Sequence, residues 1–173
     1  PMSQSSKKRS LTRRSFLNRA LVAGAGIAIV PRRVLGGPGH KAPSEELTRG
    51  IIGCGGISRS HLGMGNYARI LAVCDVDKKR MEGRAGQIKN PVKQFRDFRE
   101  MLEMPEIDII HICTPPHWHA LMSIMAAKAG KDIWCEKPMS RTIAEGRAVT
   151  DTVRRYGRVF RINTWFRFTG GFY

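Results

Sequence analysis

The sequence predicts an α/β fold, a doubly wound parallel sheet with strand order 3-2-1-4-5-6 and helices on both faces. Three observations carry that prediction. From residue 48 onward, short apolar runs alternate with helix-periodic segments, the rhythm of parallel strands joined by helical crossovers. IDIIHICT (107–114) is apolar almost throughout, as a strand covered on both faces must be. The first apolar run ends in a glycine-rich turn, GCGG, that opens into a helix-like segment. Right-handed crossovers then leave few other topologies.

The elements follow in order. TRGIIG (48–53) is the first strand, and residues 57–67 are the first helix. RILAVCD (69–75) is the second strand, followed by a charged helix over 77–88. VKQF (92–95) is a short third strand. In the helix after it, 96–104, Phe98, Met101 and Leu102 share one face. Strand four is 107–114, and the helix over 117–129 stops at Gly130, a residue suited to the left-handed turn after a helix. DIWCE (132–136) is strand five. Thr142 caps a helix running to Tyr156, with Glu145 placed to complete a capping box. RVFRINTW (158–165) is strand six.

Charge is distributed unevenly. The formal net charge is +16, yet residues 1–41 hold nine of the cations and no acid. The remainder carries 21 basic and 14 acidic residues, a mild excess that reads as a solvated surface rather than a nucleic-acid groove. Arg80, Arg84, Arg154, Arg155 and Arg158 are assigned to that surface, and no nucleic-acid partner is expected. Within the basic segment, ALVAGAGIAIV (20–30) is too short to cross a bilayer as a helix. Thr12-Arg13-Arg14-Ser15-Phe16-Leu17 resembles the twin-arginine signal, whose export machinery accepts folded cargo. Residues 1–35 are therefore expected to be a signal segment, disordered or helical, and 36–47 a linker. The implied location is periplasmic or otherwise extracytoplasmic. Cys54, Cys74, Cys113 and Cys135 lack metal or redox spacing and fall in or beside apolar runs, so buried free thiols are expected and no metal site.

The carboxyl ends of the strands carry the chemistry. Gly53-x-Gly55-x-x-Ser58, with Gly56 and Ile57 inside it, follows a strand and enters a helix. Gly53 permits a tight turn, and Gly55 lets the backbone approach a pyrophosphate. Ser58 takes the place of a third small residue, and its hydroxyl is a candidate phosphate donor. Asp75 ends the second strand, where a carboxylate binds the ribose hydroxyls of NAD and repels the extra phosphate of NADP. Asp77 is the neighbouring alternative, although its position suits a helix cap. These features make the domain a Rossmann fold for NAD, with NADP the weaker choice. After strand four, Thr114, Pro115 and Pro116 form a stiff turn toward the nicotinamide-side ribose. His119 either meets cofactor or substrate there or makes a structural bond. His61 reads as a surface or packing residue and His111 as a core histidine.

GIIGCGG, AVCDVD (72–77), HICTPPHWHA (111–120), AGKDIWCEKPMS (129–140) and IAEGRAV (143–149) together resemble the Gfo/Idh/MocA oxidoreductase family. The resemblance implies NAD(P)-dependent oxidation or reduction at hydroxyl carbons of sugars, inositols and related polyols. In some similar proteins it implies glycoside hydrolysis through a transient oxidation. It makes Lys137 the lysine that contacts the reacting hydroxyl, gives Glu136 and Pro138 to the nicotinamide pocket, and implies a cis peptide before Pro138. Chemistry agrees on the lysine, since an ammonium beside the redox ring stabilises a developing alkoxide. The resemblance also implies a second domain that supplies most sugar contacts and the oligomer surface. Residues 166–173, FRFTGGFY, stand where the connection to it should begin. The chain thus reads as a cofactor-binding half, inactive alone. A non-catalytic Rossmann scaffold that binds a partner is the rival reading.

Overall fold

In the computed structural model of the protein, the described residues are 42, 45–63 and 67–168; the basic segment and the predicted export signal lie outside them. Residues 44–173 form one compact unit. Six strands make one sheet: β1 (Leu47–Ile52), β2 (Ala68–Cys74), β3 (Lys93–Phe95), β4 (Ile109–Ile112), β5 (Asp132–Glu136) and β6 (Phe160–Asn163). Their order is β3-β2-β1-β4-β5-β6, and every neighbouring pair is parallel. The predicted fold class and strand order are therefore those of the molecule.

Five helices connect the strands: α1 (Ser58–Leu62), α2 (Lys78–Ala85), α3 (Phe98–Leu102), α4 (Pro116–Lys128) and α5 (Ile143–Arg155). Side chains alternate across each strand, so adjacent residues enter different cores. Ile52, Ala72, Cys74, Ile110, Ile112, Ile133 and Cys135 point to one face. They meet Phe98, Met101 and Leu102 of α3 and Met122, Ala126 and Ala127 of α4. Ile51 and Val73 point to the other face, against Met81 of α2. Both faces of the central strands are thus covered, which is why the fourth run lacks polar alternation.

Helix ends follow local chemistry. Asp77 and Asp97 accept bonds from Arg80 N and Arg99 N and so start α2 and α3. Asp77 is a cap, as its position suggested. Pro116 occupies the first turn of α4, where its missing N–H has no helical partner to lose. Gly130, at φ +77°, turns the chain after α4. Thr142 and Glu145 bond reciprocally, the capping box expected for α5.

Several boundaries differ from expectation. The first helix was expected over 57–67, but α1 is a single short element ending at Leu62; residues 64–66 lie outside the described set. Gly63 follows it directly, and an isolated run this short has few turns to stabilise it. Strand six is shorter than 158–165: it stops at Asn163, and a 3-10 turn covers Trp165–Phe168. Arg84 is not a solvated residue. It is buried in α2, and its guanidinium donates to Gly55 O at 2.8 Å and to Gln87 Oε1 at 2.7 Å.

Candidate functional site

Because all strands are parallel, the segments after β1, β2, β4 and β5 emerge on one edge of the sheet. The turn after β1 begins with Gly53, whose φ is +90° and whose N–H donates to Cys74 O at 2.8 Å. A Cβ there would sit 2.7 Å from Cys113 O, so this position needs glycine twice over, for conformation and for space. Gly55 and Gly56 differ: a Cβ at either would meet nothing within 4 Å. Their missing side chains leave the backbone open toward a cleft of about 630 Å³. Arg84 holds the carbonyl of Gly55 from behind, and the Ser58 hydroxyl donates to the same carbonyl at 2.7 Å. That bond keeps the Ser58 hydroxyl inside the turn, where the side chain is fully buried.

Asp75 faces the turn from the end of β2. Its Oδ2 accepts from Cys54 N at 2.7 Å and its Oδ1 from Asp77 N at 2.9 Å. Each carboxylate oxygen accepts more than one bond, so both retain capacity for a ligand hydroxyl. The cleft is walled by Gly53, Gly55, Gly56, Ile57, Asp75, Thr114 and Pro115, and Trp118 and Met122 of α4 supply apolar surface. Arg80, Arg96 and Arg99 stand near Asp75 in the same wall. Arg80 pairs with Asp77 at 3.3 Å and Arg99 with Asp97 at 2.9 Å, which spends their charge locally.

The other predicted residues lie beyond these walls. Pro116 opens α4. His119 is buried, with Nδ1 2.6 Å from Pro138 O and Nε2 2.7 Å from Thr114 O. It therefore fastens the turn after β5 to the cleft wall after β4, which is the structural bond among the two roles considered for it. Lys137 follows Glu136 on β5, and its side chain is exposed. The Lys137–Pro138 peptide is cis, as the resemblance implied.

Glu136 points inward and is buried. Its Oε1 accepts from His61 Nε2 and from Asn163 Nδ2, each at 2.6 Å, and its Oε2 accepts from Lys137 N at 3.3 Å. His61 Nδ1 lies 2.9 Å from His111 Nδ1, and the two rings meet edge to face. Burial lowers the pKa of His61 despite the opposing pull of Glu136. Burial, helped by His61 and Arg49, takes His111 down to about 3. His111 is a core histidine, as expected, but His61 is no surface group: it is fully buried and hydrogen-bonded. Sequence reasoning missed Arg84, His61 and Asn163 as parts of this edge. Arg84 and His61 sit in segments with strong polar patterning, and nothing local marks their burial.

The thiols are chemically quiet. Burial raises Cys54, Cys74 and Cys135 to about 12 and raises Cys113 as well.

The residues fit a dinucleotide. Gly55 and Gly56 leave a cradle that side chains would fill, and Asp75 stands one strand away with acceptor capacity to spare. Comparisons with known proteins agree. Residues 47–164 match the family model described as "Oxidoreductase family, NAD-binding Rossmann fold", Gfo/Idh/MocA. The chain is 34% identical over 120 residues to D-apiose dehydrogenase of Paraburkholderia graminis, covering 68% of this chain and 32% of that protein. It is 30% identical over 175 residues to a glycosyl hydrolase family 109 protein of Shewanella baltica, covering 84% of this chain and 38% of that protein. Scyllo-inositol dehydrogenase of Lactobacillus casei, solved with bound NAD(H) and scyllo-inositol, shares the fold with a TM-score of 0.67. That match has 22% identity and covers 72% of this chain and 38% of the other. The chain thus spans about a third of the length of such relatives. With the strand order, the glycine turn and the family match in agreement, the chain belongs to the Gfo/Idh/MocA family of NAD-binding Rossmann-fold oxidoreductases.

Proposed function

We propose that this domain is the cofactor half of an oxidoreductase acting on a secondary hydroxyl of a sugar, inositol or related polyol. One observation carries the reading: Asp75 and Lys137 follow β2 and β5, on opposite sides of the Gly53 turn but on the same sheet edge. A dinucleotide spanning the cleft from Asp75 would bring its nicotinamide end toward the β4–β5 side. When bound, NAD supplies the hydride acceptor and NADH the donor. The chain's own residues do the rest. Gly55 and Gly56 admit the pyrophosphate to the backbone, and Asp75 holds ribose hydroxyls while disfavouring a 2′-phosphate. Lys137, exposed and paired with no carboxylate among the described residues, is free to hydrogen-bond the reacting hydroxyl and stabilise its developing negative charge.

The sugar-class substrate is supported by the kinship with D-apiose dehydrogenase. A second reading, glycoside hydrolysis through transient oxidation, is supported by the kinship with the glycosyl hydrolase family 109 protein. Both use the same cofactor half. The substrate side is assigned to a further domain that closes over the edge, excludes water and carries the oligomer contacts. Residues 1–35 are assigned as a twin-arginine export signal, from Arg13, Arg14, Phe16 and Leu17.

Lys137→Ala in the complete protein tests the lysine. It should lower kcat/KM for polyol oxidation by about 10²–10⁴ and leave NADH affinity within about threefold. An unchanged rate would remove Lys137 from the chemistry.

A further inference from the structure

Glu136 and Lys137 are neighbours in sequence at the end of β5, one buried and the other exposed, and no ion pair joins them. Glu136 is turned into the protein, with three donors on its two oxygens: His61 Nε2, Asn163 Nδ2 and Lys137 N. A carboxylate only accepts, so His61 must carry its proton on Nε2. With Nε2 protonated, the neutral ring presents a lone pair at Nδ1, and His111 donates to it from its own Nδ1. The protons thus run in one direction, from His111 through His61 to Glu136. His111 Nε2 is then left as a bare lone pair, and it has no partner in its buried surroundings. Both tautomers are set by the carboxylate at the end of the row.

We infer that His61 is a positioning residue for Lys137, acting through Glu136: by holding that carboxylate inward, it keeps the lysine ammonium unpaired and its main chain anchored at the cofactor edge. This rests on the reading of Lys137 as the hydroxyl-facing group. The connection spans the sheet, since α1 follows β1 and Glu136 ends β5, with His111 of β4 between them. Asn163, opposite Glu136 in the β5–β6 register, holds the same oxygen from the far side. Without the His61 proton, Glu136 loses a donor in a buried place, and the exposed ammonium one residue away becomes its best partner.

The test compares how fast an acetylating reagent modifies Lys137 in the full chain, followed by peptide mass spectrometry, with exposed Lys128 as internal reference. Acylation requires the free amine, so pairing with Glu136 slows it. His61→Leu should slow Lys137 by about two- to fivefold relative to Lys128, the factor an exposed ion pair provides. His61→Gln, which keeps an N–H for Glu136, should restore the wild-type rate. Adding Glu136→Gln to His61→Leu should abolish the slowing, because an amide cannot pair with the ammonium. Asn163→Leu removes the other donor from the same oxygen and should give the same slowing; it serves if His61→Leu does not fold. An unchanged Lys137 rate in these variants overturns the inference. So does a faster rate, which marks a loosened fold and a merely structural His61. NADH titration of the same wild-type sample separates the two readings: absent binding contradicts the cofactor function, whatever the acylation rates show.

Discussion

Asp75 illustrates how much a single side chain fixes. It ties the Gly53–Ser58 turn to β2 through Cys54 N, starts the next turn through Asp77 N, and still presents acceptor capacity to the cleft. Its place facing the glycine turn was legible because an acid at the end of the second strand lies beside the turn after the first. His111 was legible only as a core residue, and its partner His61 was not, because hydrogen bonding between α1 and β4 leaves no mark in either segment. Its burial has a measurable consequence. His111 titrates near 3 in the folded protein, against an ordinary histidine value of 6.5. Between those values the unfolded chain binds a proton that the folded chain refuses, so stability falls as pH falls. Urea unfolding at pH 7 and pH 5 should show a loss of about 2 kcal/mol from this group. A His111→Gln variant should lose that part of the pH dependence. An equal slope in both proteins would mean the ring titrates in the fold as it does in the unfolded chain.

At the scale of elements, the strands were the most legible parts. β5 falls on its predicted residues, β1 to β3 shift by no more than one residue at either end, and β4 and β6 each lose two residues at both ends. Parallel strands buried on both faces announce themselves as apolar runs, and caps announce helix starts, as Asp77 and Thr142 do. The poorly read elements were those whose length tertiary packing decides. α1 ends at Leu62 although polar, helix-compatible residues precede it, and β6 stops where Asn163 turns in to Glu136. The β1–α1 turn carries the sharpest prediction. Gly53→Ala would place a Cβ 2.7 Å from Cys113 O at a φ of +90°. Such a change should destabilise the domain by about 1–3 kcal/mol, read by chemical unfolding, and weaken NADH binding with it. Gly56→Ala faces open space and should leave stability nearly unchanged in the same measurement. Equal stability of the two variants would show that the turn is not held as described.

Across the whole molecule, the organisation follows from one geometric fact: six parallel strands deliver every loop after a strand to a common edge. The glycine turn, Asp75 and the Thr114–Pro115 wall line one cleft there, and Lys137 follows β5 on the same edge, although all are scattered along the sequence. That convergence could be anticipated from the alternating pattern alone. The buried row His111–His61–Glu136–Asn163 could not, because it crosses β4, α1, β5 and β6 and depends on which face each side chain takes. The cleft is built for a dinucleotide before any substrate group is considered, so cofactor binding is the most direct test. Calorimetric titration of the chain with NADH, in wild type and Asp75→Ala, should give saturable one-site binding that the substitution weakens about tenfold or more. No binding by the folded wild-type chain, or an affinity indifferent to Asp75, would contradict the account.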